Sequence, residues 1–347
     1  MGKRRVPVIV FEATSMCSLD CLYCYNIWKR NGNEFGHFNS YKLAKATLKR
    51  INKVIDYDGI AFTGGEPLLA ERFEELVLYC RMKGKGVTLI SNGYTSDYSK
   101  YGSLHKLGVS LFELPLHSAD GKIHDMMVNK QGVHRRVIGS LKYLLDMGAG
   151  VVVDIVLTKL NIPALGGTLR FLWGMGINRI MLTRFNIGGS GIKNADLLTP
   201  SVMKLKQAFS VADELAGELG LSVTSNVCTP LCVLDPADYK RIGTQSCSAN
   251  ISNMPVTIDI NGDVRICNHS PVIIGNIHRQ PVDEIFESAY VKSWKTVKPE
   301  YCSTCGIYEN CFGGCRAASE QLGLGLGHPD PIINSKKFCY TNKPGGL

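Results

Sequence analysis

The sequence predicts an α/β protein organised on a parallel sheet and followed by a smaller cysteine-rich region. Between residue 6 and about residue 225, short apolar runs alternate with helical patterns, as they do where crossover helices link parallel strands. One run, Val151 to Leu157, is dense in β-branched residues, which parallel sheets bury on both faces. Past residue 225 the helical periodicity stops, and nine of the thirteen cysteines fall between Cys228 and Cys339. The expected division is therefore 1–225 and 226–347.

Val8 to Phe11 reads as a buried strand that delivers the chain to a cysteine loop. Ser40 is an expected N-cap, with Ala44, Leu48, Ile51 and Ile55 following on one helical face. Gly59 to Phe62 is the second strand; Phe73, Leu76, Val77 and Cys80 form the next stripe, which makes Cys80 a core residue. Val87 to Ile90 ends at Ser91-Asn92-Gly93. Val109 to Leu116 precedes a helix carrying Val137, Leu141, Leu144 and Leu145. Val151 to Leu157, a helix over about 163–174, and Arg179 to Leu182 continue the series. Val202, Leu205, Phe209, Ala212, Ala216 and Leu219 supply the last helix. Six units result, fewer than the eight of a closed barrel, and in such folds chemistry gathers at the C-terminal ends of the strands.

The 347 residues allow two or more domains. An apolar content of 45% and a charged content of 20% are ordinary for a soluble protein. No apolar run approaches the roughly 18 residues of a membrane span. The stretch Val6 to Phe11 is too short for a signal-peptide core and contains Pro7. A cytoplasmic location follows, and there thirteen cysteines point to metal or redox chemistry rather than disulfides. The charge is 39 − 30 = +9. Lys and Arg are dispersed, with Lys3 to Arg5 the only tight run, and thiolate-bound clusters would cancel several positive charges. Nucleic acid is therefore not an expected partner.

Cys17-Ser-Leu-Asp-Cys21-Leu-Tyr-Cys24 places three thiols in one short loop. Zinc takes four ligands, usually as two pairs. Three cysteines without a fourth suit an iron–sulfur cube with one iron open. One strand later, Thr63-Gly64-Gly65-Glu66-Pro67 frees the backbone for close approach to a ligand and faces it with a carboxylate. The two motifs together resemble those of the radical S-adenosylmethionine (SAM) enzymes. The resemblance implies an open (β/α)6 partial TIM barrel and a [4Fe–4S] cluster on Cys17, Cys21 and Cys24 that binds SAM at its open iron. It also implies a SAM site that includes Tyr23, the aromatic before the third cysteine, and Gly64, Gly65 and Glu66 at the SAM ammonium. Asn92 and Ser118, the latter preferred to His117, become expected contacts of the ribose and carboxylate. Arg184 becomes the expected partner of the carboxylate. The Gly188-Gly-Ser-Gly191 turn lacks the Gly-Lys-Ser/Thr ending of a phosphate loop.

In the second region, Asn261-Gly262 between Val256-Ile258-Ile260 and Val264-Ile266 predicts a tight hairpin that returns Cys267 toward Cys247. Cys302-x2-Cys305-x5-Cys311-x3-Cys315 and then Cys339 complete the series. Seven cysteines in this order resemble the SPASM extension of certain radical SAM enzymes, a small α+β domain. The resemblance implies two auxiliary iron–sulfur clusters, one on Cys302, Cys305, Cys311 and Cys339 and the other on Cys247, Cys267 and Cys315. The fourth ligand of the second is open: Cys228 or Cys232 could reach it, or an iron could face substrate or water. His269 is a further, weaker candidate.

The same resemblance implies reductive cleavage of SAM to a 5′-deoxyadenosyl radical that removes a substrate hydrogen atom. Auxiliary clusters favour an oxidative outcome, a cross-link or dehydrogenation, on a peptide or protein. Action on a small metabolite such as a sugar, aminoglycoside or tetrapyrrole is the alternative. Were the outcome epimerisation, Cys228 or Cys232 could be the catalytic hydrogen donor. A ferredoxin or flavodoxin is the expected electron donor. The barrel begins by residue 6, so leader-peptide recognition, if needed, is expected from a separate protein.

Overall fold

A computed structural model describes residues 3–29, 37–247 and 253–334. Cys339 lies outside the described residues. Six strands occupy the expected runs: β1 (Val8–Thr14), β2 (Gly59–Gly64), β3 (Gly86–Ile90), β4 (Leu111–Pro115), β5 (Val151–Leu157) and β6 (Arg179–Arg184). Each pairs in parallel with the next. They form the middle of an eleven-stranded sheet, and helices connect them, giving the partial barrel that the resemblance implies.

The connecting helices follow the predicted stripes. Helix α1 (Tyr41–Val54) begins at Ser40, whose hydroxyl accepts from Leu43 N, and buries Ala44, Leu48 and Ile51. Helix α2 (Phe73–Met82) buries Phe73, Leu76, Val77 and Cys80, and burial pushes the Cys80 thiol up to about 12, as a core thiol should behave. Helix α3 (Ser99–Lys106) has no clear periodic signal. Its Gly102 is held by packing: a Cβ there would lie 2.8 Å from Tyr143 Oη. Next come α4 (Gly121–Met127), α5 (Val133–Asp146), α6 (Leu165–Gly174) and α7 (Val202–Leu219).

The sheet does not stop where the composition changes. Strands β7 (Ser222–Ser225) and β8 (Ile242–Gly243) extend it past β6. On the other side, β9 (Val256–Asp259) lies parallel to β1, with Ile258 opposite Phe11. Strand β9 turns at Asn261-Gly262 into antiparallel β10 (Asp263–Arg265), and β11 (Ile273–Asn276) completes the sheet. Gly262 has φ +86°, the left-handed conformation that a glycine supplies at a hairpin. Helices continue after residue 225, as an α+β domain requires: α8 (Val282–Phe286), α9 (Ala289–Thr296) and α10 (Arg316–Gln321) are present, too short for periodicity to register.

One continuous core spans both regions, from Ile9, Phe62 and Phe112 to Ile258, Phe286 and Trp294. The basic N-terminal run is neutralised, with Arg5 paired to Asp56 and Asp58 and Arg4 to Glu287. Among the described residues no helix is long and apolar enough to cross a membrane.

Candidate cluster and SAM site

Cys17, Cys21 and Cys24 sit on the loop leaving the C-terminal end of β1, all half-buried. The backbone closes at Cys24 N to Cys21 O, 3.1 Å. Helix ends beyond the neighbouring strands hold this loop: Leu22 N donates to Met127 O (2.9 Å), and Asn194 Nδ2 donates to Leu22 O (3.0 Å). The glycine turn at 188–191 has its role here. Gly191 N donates to Cys24 O (3.3 Å), and a Cβ on Gly189, φ +47°, would lie 2.6 Å from Cys24 O. Burial and neighbouring thiols push Cys21 well up, and burial pushes Cys24 up to about 11. Thiols in such a cradle ionise when a metal centre supplies the compensating charge. The donor set, three sulfurs on one loop, fits an iron–sulfur cluster.

The Gly64-Gly65-Glu66 element meets this loop directly. Gly65 N donates to Thr14 O and Glu66 N to Met16 O, each 2.7 Å. A Cβ on Gly65 would stand 2.0 Å from Met16 O, and one on Gly64, φ +127°, 2.2 Å from Thr14 O. In the structure it is the cysteine loop's own backbone that these glycines admit so closely. Glu66 is buried, accepting from Asn92 N (2.7 Å), Ser91 Oγ (2.9 Å) and Leu68 N (3.1 Å). Burial pushes its carboxyl up while those donors pull it down. It lines a cavity of about 220 Å³ with Ser18, Tyr94, Lys100 and Arg136 among others. Asn92 reaches back to the loop, its Nδ2 3.2 Å from Ser18 Oγ and 3.8 Å from Cys17 Sγ.

Three further expected residues, Ser118, Tyr23 and Arg184, have protein partners in the structure. Ser118 is fully buried, and its hydroxyl accepts from Asp120 N (3.1 Å) in the turn that opens α4. The neighbouring His117 is what touches the cysteine loop. Its Nδ1 accepts from Val156 N (3.2 Å), so Nε2 carries the hydrogen and donates to Tyr23 Oη at 2.6 Å. Tyr23 in turn hydrogen-bonds Cys21. Tyr23 thus links His117 to a cluster cysteine, with its ring edge-on to His117 at 4.7 Å. Arg184 is buried and turned toward the second region. It forms an ion pair with Asp330 and donates to Thr229 Oγ1 (3.0 Å) and Cys228 O (3.1 Å). These are the partners that Arg184, expected at the SAM carboxylate, has in the structure.

The remaining cysteines form two groups. Cys247, Cys267 and Cys315 come together with Cys228, whose side chain hydrogen-bonds that of Cys247. Asn186 Nδ2 lies 3.0 Å from Cys315 Sγ. Cys302, Cys305 and Cys311 gather with Cys232. Cys228 thus stands with one group and Cys232 with the other. Both groups are thiol-only donor sets, which fit iron–sulfur centres. Among the described residues no three His, Cys, Asp or Glu side chains close on a point that one metal ion could occupy. His269 is turned away, its Nε2 2.9 Å from Ile187 O.

Sequence reasoning missed the latch between the first loop and this region. Tyr25 Oη accepts from Asn268 Nδ2 (2.5 Å), and Gln321 Nε2 donates to Tyr25 O and His269 O, each 3.0 Å. Glu12 on β1 forms a buried ion pair with Arg265, which also donates to Asn268 O and Ser270 O beside Cys267. It missed as well Glu113 on β4 and Asp154 on β5, opposite the fully buried Phe112, Leu114 and Val153 and so on the inner face of the barrel. Burial raises both carboxyls, and Asp154 raises Glu113 further. A charged residue inside a strand run was the available signal.

Residues 11–172 match the radical SAM superfamily, and residues 247–311 match the SPASM family, an iron–sulfur cluster-binding domain. The chain is 25% identical over 338 residues to a PqqA peptide cyclase of Streptomyces rochei, covering 93% of this chain and 88% of that one. A PqqA peptide cyclase of Gluconobacter oxydans (strain 621H) is 22% identical over 343 residues, covering 95% and 91%. The fold is that of Streptococcus suis SuiB bound to S-adenosylmethionine, at a TM-score of 0.73 and 17% identity over 95% of this chain and 77% of that one. It is also that of anSMEcpe with bound AdoMet, at 0.71 and 18% over 96% and 91%. With the cysteine triad at the end of β1, the Gly-Gly-Glu element beside it and the thiol groups beyond, the chain belongs to the radical SAM enzymes that carry a SPASM iron–sulfur domain, with SAM and [4Fe–4S] clusters as cofactors.

Proposed function

We propose that this enzyme carries out an oxidative modification of a peptide or protein, a cross-link or a dehydrogenation. One observation carries the oxidative part: the first cysteine loop is tied through Tyr25 to Asn268 and Gln321, beside the thiol group at Cys267. An electron leaving an oxidised substrate has cluster sites at hand. The peptide part rests on relatives named as peptide cyclases and on SuiB, whose fold this chain shares and which has been seen bound to the precursor peptide SuiA.

Held by Cys17, Cys21 and Cys24, a cluster with bound SAM would supply the radical chemistry for removing a substrate hydrogen atom. The chain's own residues do the positioning. Cys17, Cys21 and Cys24 hold the cluster. Glu66, fixed by Asn92 N and Ser91 Oγ, faces the SAM ammonium. Lys100 and Arg136, in the cavity with Glu66, are further cations for the SAM carboxylate besides Arg184. Glu113 and Asp154 line the inner face where substrate lies. A ferredoxin or flavodoxin supplies the electron.

The test is 5′-deoxyadenosine formation by the reconstituted enzyme with SAM, reductant and a low-mass extract of the source organism, before and after protease digestion. Stimulation abolished by protease identifies a peptide. Stimulation that survives digestion transfers the assignment to a small metabolite.

A further inference from the structure

We propose that Cys228 is the fourth protein ligand of the inner auxiliary cluster, completing Cys247, Cys267 and Cys315. The proposal rests on the cluster-bearing reading above. The four thiols come from four separate stretches: the loop after β7, the segment after β8, the return from the hairpin, and the turn before α10. Nothing local in the sequence brings them together; the fold does. Cys228 lies outside the interval between Cys247 and Cys267, where no other cysteine occurs.

The loop that carries Cys228 is built into this place. Arg184 donates to Cys228 O at 3.1 Å and to Thr229 Oγ1 at 3.0 Å while its guanidinium is held by Asp330. Asp330 also accepts from Cys315 N at 2.7 Å. One buried ion pair thus fixes two of the four ligand positions. Further along the loop, Leu231 N lies 3.3 Å from Cys311 Sγ. Pro230 packs so closely on Gly314, φ +82°, that a Cβ there would lie 2.4 Å from Pro230 Cγ. The five residues from Cys228 to Cys232 therefore run between the two thiol groups. The chemical consequence is specific. With four thiolates the inner cluster has no open iron, so it passes electrons and does not bind substrate.

The experiment compares anaerobically purified holoenzyme with Cys228→Ala, Cys228→Ser and a control, Cys80→Ala, that removes a core thiol. Iron and sulfide per chain, electron paramagnetic resonance of the oxidised protein and auxiliary reduction potentials are read. Far-UV circular dichroism identifies any variant that does not fold. Wild type should carry about twelve irons in three [4Fe–4S] clusters. Cys228→Ala should lose up to about four, or show a [3Fe–4S] signal from loss of the released iron. Cys228→Ser, with an oxygen in place, should keep the cluster at a shifted potential. Wild-type iron, spectrum and potential in a folded Cys228→Ala would overturn the assignment, as would equal loss in Cys80→Ala. A wild type with only about four irons would instead overturn the auxiliary-cluster reading itself.

Discussion

Arg184 shows how a residue's position is legible in a sequence while its protein partner is not. It stands at the end of β6, on the productive rim, where a charged side chain invites assignment to a ligand. Its partner Asp330 lies 146 residues away, and no local pattern announces it. Breaking a buried pair from one side leaves an uncompensated charge, at about 3–5 kcal/mol. Asp330→Asn should therefore lower stability by about that much in denaturant titration, and should release the loop carrying Cys228. The buried histidines set a pH limit. Burial, with His134 nearby, lowers His124 to about 4, below the unfolded value of about 6.5. The unfolded chain thus binds the proton more readily, and stability is lost as pH falls below about 6.5. At pH 5.5 the loss through His124 is about 1 kcal/mol. His124→Gln should shift the thermal midpoint less than wild type does between pH 7.5 and 5.5; an equal shift in both would show that His124 is not the group. Cysteine spacing was legible because a cluster imposes it directly. His117, Tyr25 and Gln321 were not, because they act across the fold.

At the scale of elements, the strand ends are shaped by one another as much as by a ligand. The Gly64-Gly65 pair was legible as a motif, yet in the structure it accommodates the backbone at Thr14 to Met16. Gly65→Ala should displace the cysteine loop, destabilise the protein by about 1–3 kcal/mol and lower iron at the SAM cluster. Wild-type stability and iron content would show that the contact can relax. The hairpin was legible in full, since alternation flanking Asn-Gly specifies both strands and turn. Helix α3 was not, because eight residues with a central glycine carry too weak a periodicity. Nor was β7, a four-residue strand paired with β6, too short for its composition to announce it.

The whole molecule is joined more tightly than its composition implies. Cysteine density changes sharply near residue 225, but β9 pairs with β1 and the same core runs through both regions. Calorimetry should give one cooperative transition for the apo-protein, and a chain ending at residue 225 should fold poorly without β9 to cover β1. Two separate transitions would contradict a shared core. The continuity has a functional side, because it fixes the first cluster loop beside the thiol groups that follow the hairpin. The measurement that tests the account most directly is anaerobic formation of 5′-deoxyadenosine from SAM and a strong reductant, by the fully reconstituted enzyme and by Cys21→Ala. The account predicts product from the first and none from the second. No product from the enzyme with its clusters complete, or equal product from both, would contradict it.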